Sequence, residues 1–173
     1  NNRTHDGTKF YQGISNTTQT VATLIPISVL ATGVISNDKS TIKKGLYMVE
    51  SVAGATFISY GLKYSFKRTR PFIKNPDIIA AGNGGSPSFP SGHTSIAFAA
   101  ATSLTLAYPK WYVAVPAFAW AATVGYSRMY LGVHYPSDVA VGAFIGVGSA
   151  WLMHKANKWL FEKKNKPVVL TQY

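Results

Sequence analysis

Three short stretches of this chain collect the groups that a phosphate dianion needs. They are Lys63 followed by Arg70-Pro71, then Pro90-Ser91-Gly92-His93, then Ser127-Arg128 followed by His134 and Asp138. Lys63, Arg70 and Arg128 supply fixed positive charge, and the planar fork of an arginine meets two phosphoryl oxygens at once. Ser91 and Gly92 offer a hydroxyl and closely approachable backbone N–H groups, which lack intrahelical partners where a helix begins. Two imidazoles remain, and Asp138, four residues after His134, can orient that ring. Phosphate-ester hydrolysis asks for this set: charge neutralisation, a nucleophile, and a proton for the leaving alkoxide. Taken singly, each part has a plainer use. A basic residue at a helix end offsets the helix dipole, Pro-Ser-Gly is an ordinary turn, and an acid in a first helical turn is a simple dipole charge. Their joint occurrence and order carry the argument.

That order, K-x6-R-P, then P-S-G-H, then S-R-x5-H-x3-D, resembles the signature of the type-2 phosphatidic acid phosphatase superfamily, which also holds bacterial acid phosphatases and vanadium haloperoxidases. All eleven fixed positions are filled. The resemblance covers roughly residues 45 to 154 and implies an all-α helical bundle. It also implies His134 as the nucleophile that forms a phosphohistidine, His93 as the general acid, and Asp138 as the partner of His134. Lys63, Arg70, Ser91, Gly92 and Arg128 would then bind phosphate. Lys67 and Arg68 lie inside the first motif but off its fixed positions, and read as solvated or lipid-facing charges.

Composition narrows the alternatives. At 173 residues the chain reads as a single domain, 1–173, with one apolar core. Without cysteine there are no disulfides or thiolate-metal sites. The four histidines form no H-x-x-x-H pair, so neither a metal nor another cofactor is expected. A net charge of +11 with only six acids points to an anionic partner. The aromatic residues do not interleave with a basic run, which argues against nucleic acid. A phosphorylated lipid or other phosphate ester fits better; oligomeric state is not legible. The chain opens at Asn1-Asn2-Arg3 without an initiator methionine, as expected if a targeting segment had been removed or trimmed.

The elements that must position these groups read as helices. Five apolar runs, about 17–35, 45–62, 94–108, 111–126 and 139–153, have helical length and almost no strand-like alternation. Pro26 and Pro116 should kink or unwind two of them. Gly142, Gly146 and Ala150 form a small-residue stripe suited to close helix packing. Arg70, before a proline, should close the second helix, and Ser137 should cap the fifth, with Asp138 in its first turn. The expected fold is therefore an antiparallel bundle of about five main helices with its active site at one end. The long, Gly- and Pro-rich segment from Pro71 to Pro90 should form the rim of that site. Glu50, alone in the second run, should be hydrogen-bonded inside the bundle or facing a polar seam. His5 and His154 read as a flexible-terminus residue and a helix-end cation.

Membrane insertion is expected, although several runs fall near or below the usual spanning length of about 20 residues and mean hydropathy is only +0.07. Trp111, Tyr112, Trp151 and Trp159 gather at the end away from the motifs, while Tyr60, Tyr64, Tyr126, Tyr130 and Tyr135 gather near them. Trp120 is a mid-helix exception to these two belts. Lys39, Lys43, Lys44, Lys110 and the basic run 155–166 fall on the far side. This would place the active site outside a bacterial inner membrane, facing the periplasm. Membrane members of the family look like six-helix proteins, against which this chain would lack the first helix. The leading expectation is a metal-independent phosphatase of lipid phosphates or diphosphates. Phosphatidic acid, phosphatidylglycerol phosphate, undecaprenyl diphosphate and lipid A are not separated by the sequence. Alternatives are a soluble periplasmic acid phosphatase of broad specificity, a vanadium haloperoxidase, and a catalytically silent lipid-phosphate-binding protein whose loop blocks entry.

Overall fold

The computed structural model describes residues 3–82 and 84–164; Asn1-Asn2 and the last lysine of the basic run, Lys166, lie outside the described residues. Five long helices and one single-turn helix form an all-α bundle: α1 (His5–Ile35), α2 (Lys39–Phe66), α3 (Pro71–Lys74), α4 (Gly92–Ala107), α5 (Trp111–Tyr130) and α6 (Pro136–Lys164). The long helices alternate in direction, so the end of α2, the start of α4, the end of α5 and the start of α6 meet at one mouth.

The shortest long helix, α4, is the axis of the bundle and packs against α1, α2, α5 and α6, most extensively against α6. It is built of alanine, serine and threonine, and ten of its sixteen residues are buried. Small side chains let the neighbouring backbones approach closely. The glycine stripe of α6 shows how tightly. A Cβ at Gly142 would lie 2.7 Å from Ser91 O, and one at Gly146 would collide with Ser95 O. Bulkier residues fill the outer layers, as where Tyr47 and Met48 pack with Ala107.

Several expected boundaries move. Helix α1 begins at His5, twelve residues before its apolar run, capped by Thr4 accepting from the Gly7 N–H. Pro26 and Pro116 sit inside unbroken helices; one missing N–H is tolerated while the flanking turns stay bonded. Helix α2 ends at Phe66, with Lys67 in the left-handed region at φ 45°, so Arg70 instead precedes the turn of α3. Pro136 is the first residue of α6, which puts Ser137 inside the helix and removes it as a cap. Glu50 is exposed and accepts from Asn157 Nδ2 at 2.6 Å. His5 starts α1 and His154 packs edge-on against Tyr47 within α6.

Two helices, His5–Ile35 and Pro136–Leu160, are long and apolar enough to cross a membrane. Large apolar side chains stand exposed around the bundle, among them Phe57 at 82%, Phe144 at 79% and Trp111 at 78%. Trp120, the exception to the aromatic belts, donates its indole N–H to Thr17 Oγ1 at 3.1 Å.

Candidate active site

Each motif is fixed by the backbone that ends or begins a helix. Lys63 lies in the last turn of α2, and its Nζ donates to Pro87 O at 2.6 Å. Arg70 is held along its whole fork: Nε donates to Ser86 O at 2.7 Å and Nη1 to Val133 O at 2.8 Å. Arg128, in the last turn of α5, donates from Nη1 to Ser15 Oγ on α1, while its buried Nε has no partner. The three cations are only 5%, 4% and 4% exposed. Burial pulls the guanidinium of Arg70 below its usual pKa, an effect partly offset by Asp138; an arginine stays charged regardless.

Beyond α5 the chain folds back on itself. The N–H groups of Val133 and His134 both reach Arg128 O, and Gly132 takes φ 72° to make the turn. A side chain at Gly132 would be strained by that φ and would also meet Arg3 and Ile78. Leu131 and Val133, fully buried, pin the turn so that His134 faces inward. Its Nε2 lies 3.4 Å from Arg70 Nη1, and its Nδ1 lies 3.4 Å from Asp138 Oδ2. The second contact is longer than a formed hydrogen bond, and Nδ1 has no other partner. An arginine N–H beside Nε2 favours a lone pair there, with the ring proton on Nδ1 toward the carboxylate. Burial lowers the His134 pKa from 6.5 to about 4; Asp138 acts against that shift, while Arg70, Arg128 and Lys63 reinforce it.

Asp138 is fully buried. It accepts from Ser88 Oγ at 2.5 Å, from the Tyr135 N–H at 3.0 Å and from Arg68 Nη1 at 2.7 Å. Reaching back from the third residue of α6 to the N–H before it, the carboxylate caps the helix while it faces His134. Arg68 corrects the sequence reading. Rather than a solvated charge, it pairs with Asp138, donates to Ser137 Oγ at 2.8 Å, and covers the Tyr135 ring at 4.1 Å. The available signal was scarcity: one of six acids, in a motif, needs its charge balanced.

Ser91 is held by its neighbours. It is fully buried, its N–H donates to Asp138 O at 3.0 Å, and its hydroxyl pairs with Thr94 Oγ1 at 2.8 Å. Its N–H thus ties the start of α4 to α6, while its hydroxyl pairs within α4, where either oxygen can be the donor. Gly92 and His93 instead line a cavity of about 240 Å³ together with Lys63, Arg70, Arg128 and His134. A Cβ at Gly92 would sit 3.8 Å from Lys63 Cε, so the free N–H end of α4 and the lysine are neighbours. Gly85 and Ser86 rim this cavity, and the carbonyls of Pro87 and Ser86 hold Lys63 and, with Val133 O, Arg70. Three cations and a helix N-terminus converge on one small cavity, an arrangement whose chemistry suits an anion.

The fold and this site define a helical PAP2-type protein. The family model for the PAP2 superfamily matches residues 44–162, and the chain belongs to that family. The undecaprenyl-diphosphatase of Sulfolobus acidocaldarius is 37% identical over 109 residues, 62% of this chain and 52% of the relative. The lipid A 1-phosphatase of Porphyromonas gingivalis is 34% identical over 144 residues, 80% of this chain and 29% of the relative. The chain thus spans about half, or less, of the length of these curated relatives. Among solved structures, the LpxE of Aquifex aeolicus superposes with a TM-score of 0.73 at 27% identity, covering 89% of this chain and 88% of that one. The first transmembrane PAP2-type phosphatidylglycerolphosphate phosphatase of Bacillus subtilis gives 0.74 at 27% identity, covering 96% and 82%.

Proposed function

We propose that the protein is a phosphatase of lipid phosphate monoesters or diphosphates that works through a phosphohistidine on His134. The observation that carries this reading is the placement of His134. Its Nε2 faces the cationic cavity and its Nδ1 faces a buried carboxylate, beside three cations that have no carboxylate partner among the described residues. The phosphate dianion enters between Lys63, Arg70 and Arg128, with the N–H groups at the start of α4 completing its cradle. The Nε2 lone pair attacks phosphorus, the bond to the leaving oxygen breaks, and that oxygen takes a proton from His93. Asp138 stabilises the imidazolium as it forms. His93 then deprotonates a water that hydrolyses the phosphohistidine, returning both residues to their starting states. The fixed cations perform the electrostatic work that a divalent metal does elsewhere.

The relatives whose names specify lipid A and undecaprenyl diphosphate, together with the exposed apolar surface and two span-length helices, support a lipid substrate and a membrane setting. The exposed Lys39, Lys110 and Lys155 at the opposite end favour a cytoplasmic location for that end and a periplasmic mouth. Rapid quenching with substrate radiolabelled at its terminal phosphorus tests the mechanism. Wild type should yield an acid-labile phosphoprotein and continue turnover after exhaustive chelation, and His134→Ala should yield neither label nor turnover. Retained turnover in His134→Ala would refute the assignment.

A further inference from the structure

A second cavity, of about 380 Å³, adjoins the first and shares two residues with it, His93 and Arg128. Its outer wall is α1, through Gln12, Ser15 and Asn16. With Gln19, which lines the phosphate cavity, these residues are spaced i, i+3, i+4, i+7 and make one polar stripe along a helix. That helix is otherwise apolar enough to cross a membrane, where polar side chains ordinarily face the bundle interior or a cavity. The stripe is held in place: Gln12 Nε2 donates to Ala81 O at 2.7 Å, and Ser15 Oγ accepts from Arg128. Gln12 Oε1, the Asn16 amide and the Ser15 hydroxyl proton remain to meet a ligand. None of the three stripe residues in this cavity belongs to the segment matched by the family, 44–162. The phosphate cavity is thus made almost wholly of residues within that segment, and the neighbouring one gains one wall from α1, which precedes it.

We propose that the α1 stripe forms a subsite for the leaving group, and that it takes an uncharged, hydroxyl-bearing alcohol such as a sugar. The inference rests on the phosphatase reading, with His93 as proton donor. The leaving oxygen must be next to His93, and His93 borders both cavities. When the P–O bond breaks and that oxygen is protonated, the alcohol is released on the side that Gln12 and Asn16 line. The chemistry of the wall selects its class. Amides and a hydroxyl both donate and accept, as sugar hydroxyls require. Among the described residues the only fixed cation in the wall is Arg128, which already serves the first cavity, so a second phosphate would find no charge of its own. A bare hydrocarbon would leave the buried Ser15 hydroxyl and the half-buried Gln12 amide without a partner.

Three substrates with matched chains separate the possibilities in detergent solution: a dialkylglycerol phosphate, a glycolipid whose hexose carries the phosphate, and a prenyl diphosphate. Wild type should show the highest kcat/KM on the glycolipid. Gln12→Leu and Asn16→Leu should each lower that value roughly tenfold, the scale of one lost hydrogen bond, with a loss several times smaller on the dialkylglycerol phosphate. Asn16 is exposed, so Asn16→Leu carries the test alone should Gln12→Leu fail to fold. Equal losses on all three substrates, or a wild-type preference for the plain lipid or the diphosphate, would overturn the subsite and leave the phosphatase reading standing. No phosphate release from any substrate would overturn that reading and the subsite with it.

Discussion

The two ends of the bundle carry the same residue types to opposite effect. At the far end, Lys39, Lys110 and Lys155 are exposed, Lys44 lies over the Tyr108 ring at 4.7 Å, and each is free to be solvated or screened. At the mouth, Lys63, Arg70 and Arg128 are buried and bonded, yet their partners are carbonyls and hydroxyls rather than carboxylates. Asp138, the one acid close by, is engaged instead by Arg68, Ser88 and Tyr135. Neutral partners fix a cation without cancelling it. The mouth therefore keeps a net positive field in a poorly solvated place, which is costly until an anion arrives. Burial with dipolar partners makes charge functional; exposure makes it merely soluble or interfacial.

After the loss of the nucleophile itself, breaking the mouth at the proton donor should have the largest effect. His93→Ala is expected to lose about 10²–10⁴-fold in the phosphoryl-transfer step on an alkyl phosphate. It should lose far less on p-nitrophenyl phosphate, whose phenolate scarcely needs a proton. Single-turnover release measures this, and equal losses on both would mean that His93 is not the acid. Next, Arg128→Ala should cost roughly 10²–10³-fold in kcat, whereas Lys110→Ala at the far end should leave kcat within about twofold, the usual scale for an exposed charge. Orthovanadate should also raise the thermal midpoint of wild type and of Lys110→Ala but not of Arg128→Ala, because only the mouth gains by binding an anion.

Smaller effects sharpen the picture. Arg68→Gln should lower kcat roughly tenfold by releasing one oxygen of Asp138, the scale of a charge-assisted hydrogen bond, with KM little changed. A rise in KM at unchanged kcat would instead place Arg68 on the substrate. The smallest signal is a titration. Nitrogen-15 NMR of labelled histidine should show His134 taking up its proton only as pH falls through about 4. The nucleophile is then neutral throughout the range above, and the population fit to attack falls on acidification. A midpoint at or above 6.5 would mean that Asp138 outweighs burial and the three cations.

Much of this was legible beforehand, and what was not has a common cause. The five apolar runs marked five helices because hydrophobic periodicity reports buried or lipid-facing stretches. It is blind to helix ends that carry polar site residues. Helix α1 was read from Thr17 because Gln12, Ser15 and Asn16 interrupt its apolar pattern, and those residues wall the second cavity. The motifs named Lys63, Arg70, Arg128, His134 and Asp138, and the fold gathers all of them at one mouth. They could not reveal Arg68, whose role depends on a contact seventy positions away in the chain. Ser91 shows the converse: the motif position was legible, but the bond from its N–H to Asp138 O was not.

The meeting of α4 and α6 has one further consequence. Ser95 O rests against Gly146, and Ser91 N bonds Asp138 O, so the helix that carries His93 in its first turn and the helix that carries Asp138 behave as one rigid gauge. The spacing between proton donor and nucleophile is then inherited from how near two backbones can come, not from the side chains that do the chemistry. A single methyl group at Gly146, about two turns below Asp138, would open that gauge and detune a reaction it never touches.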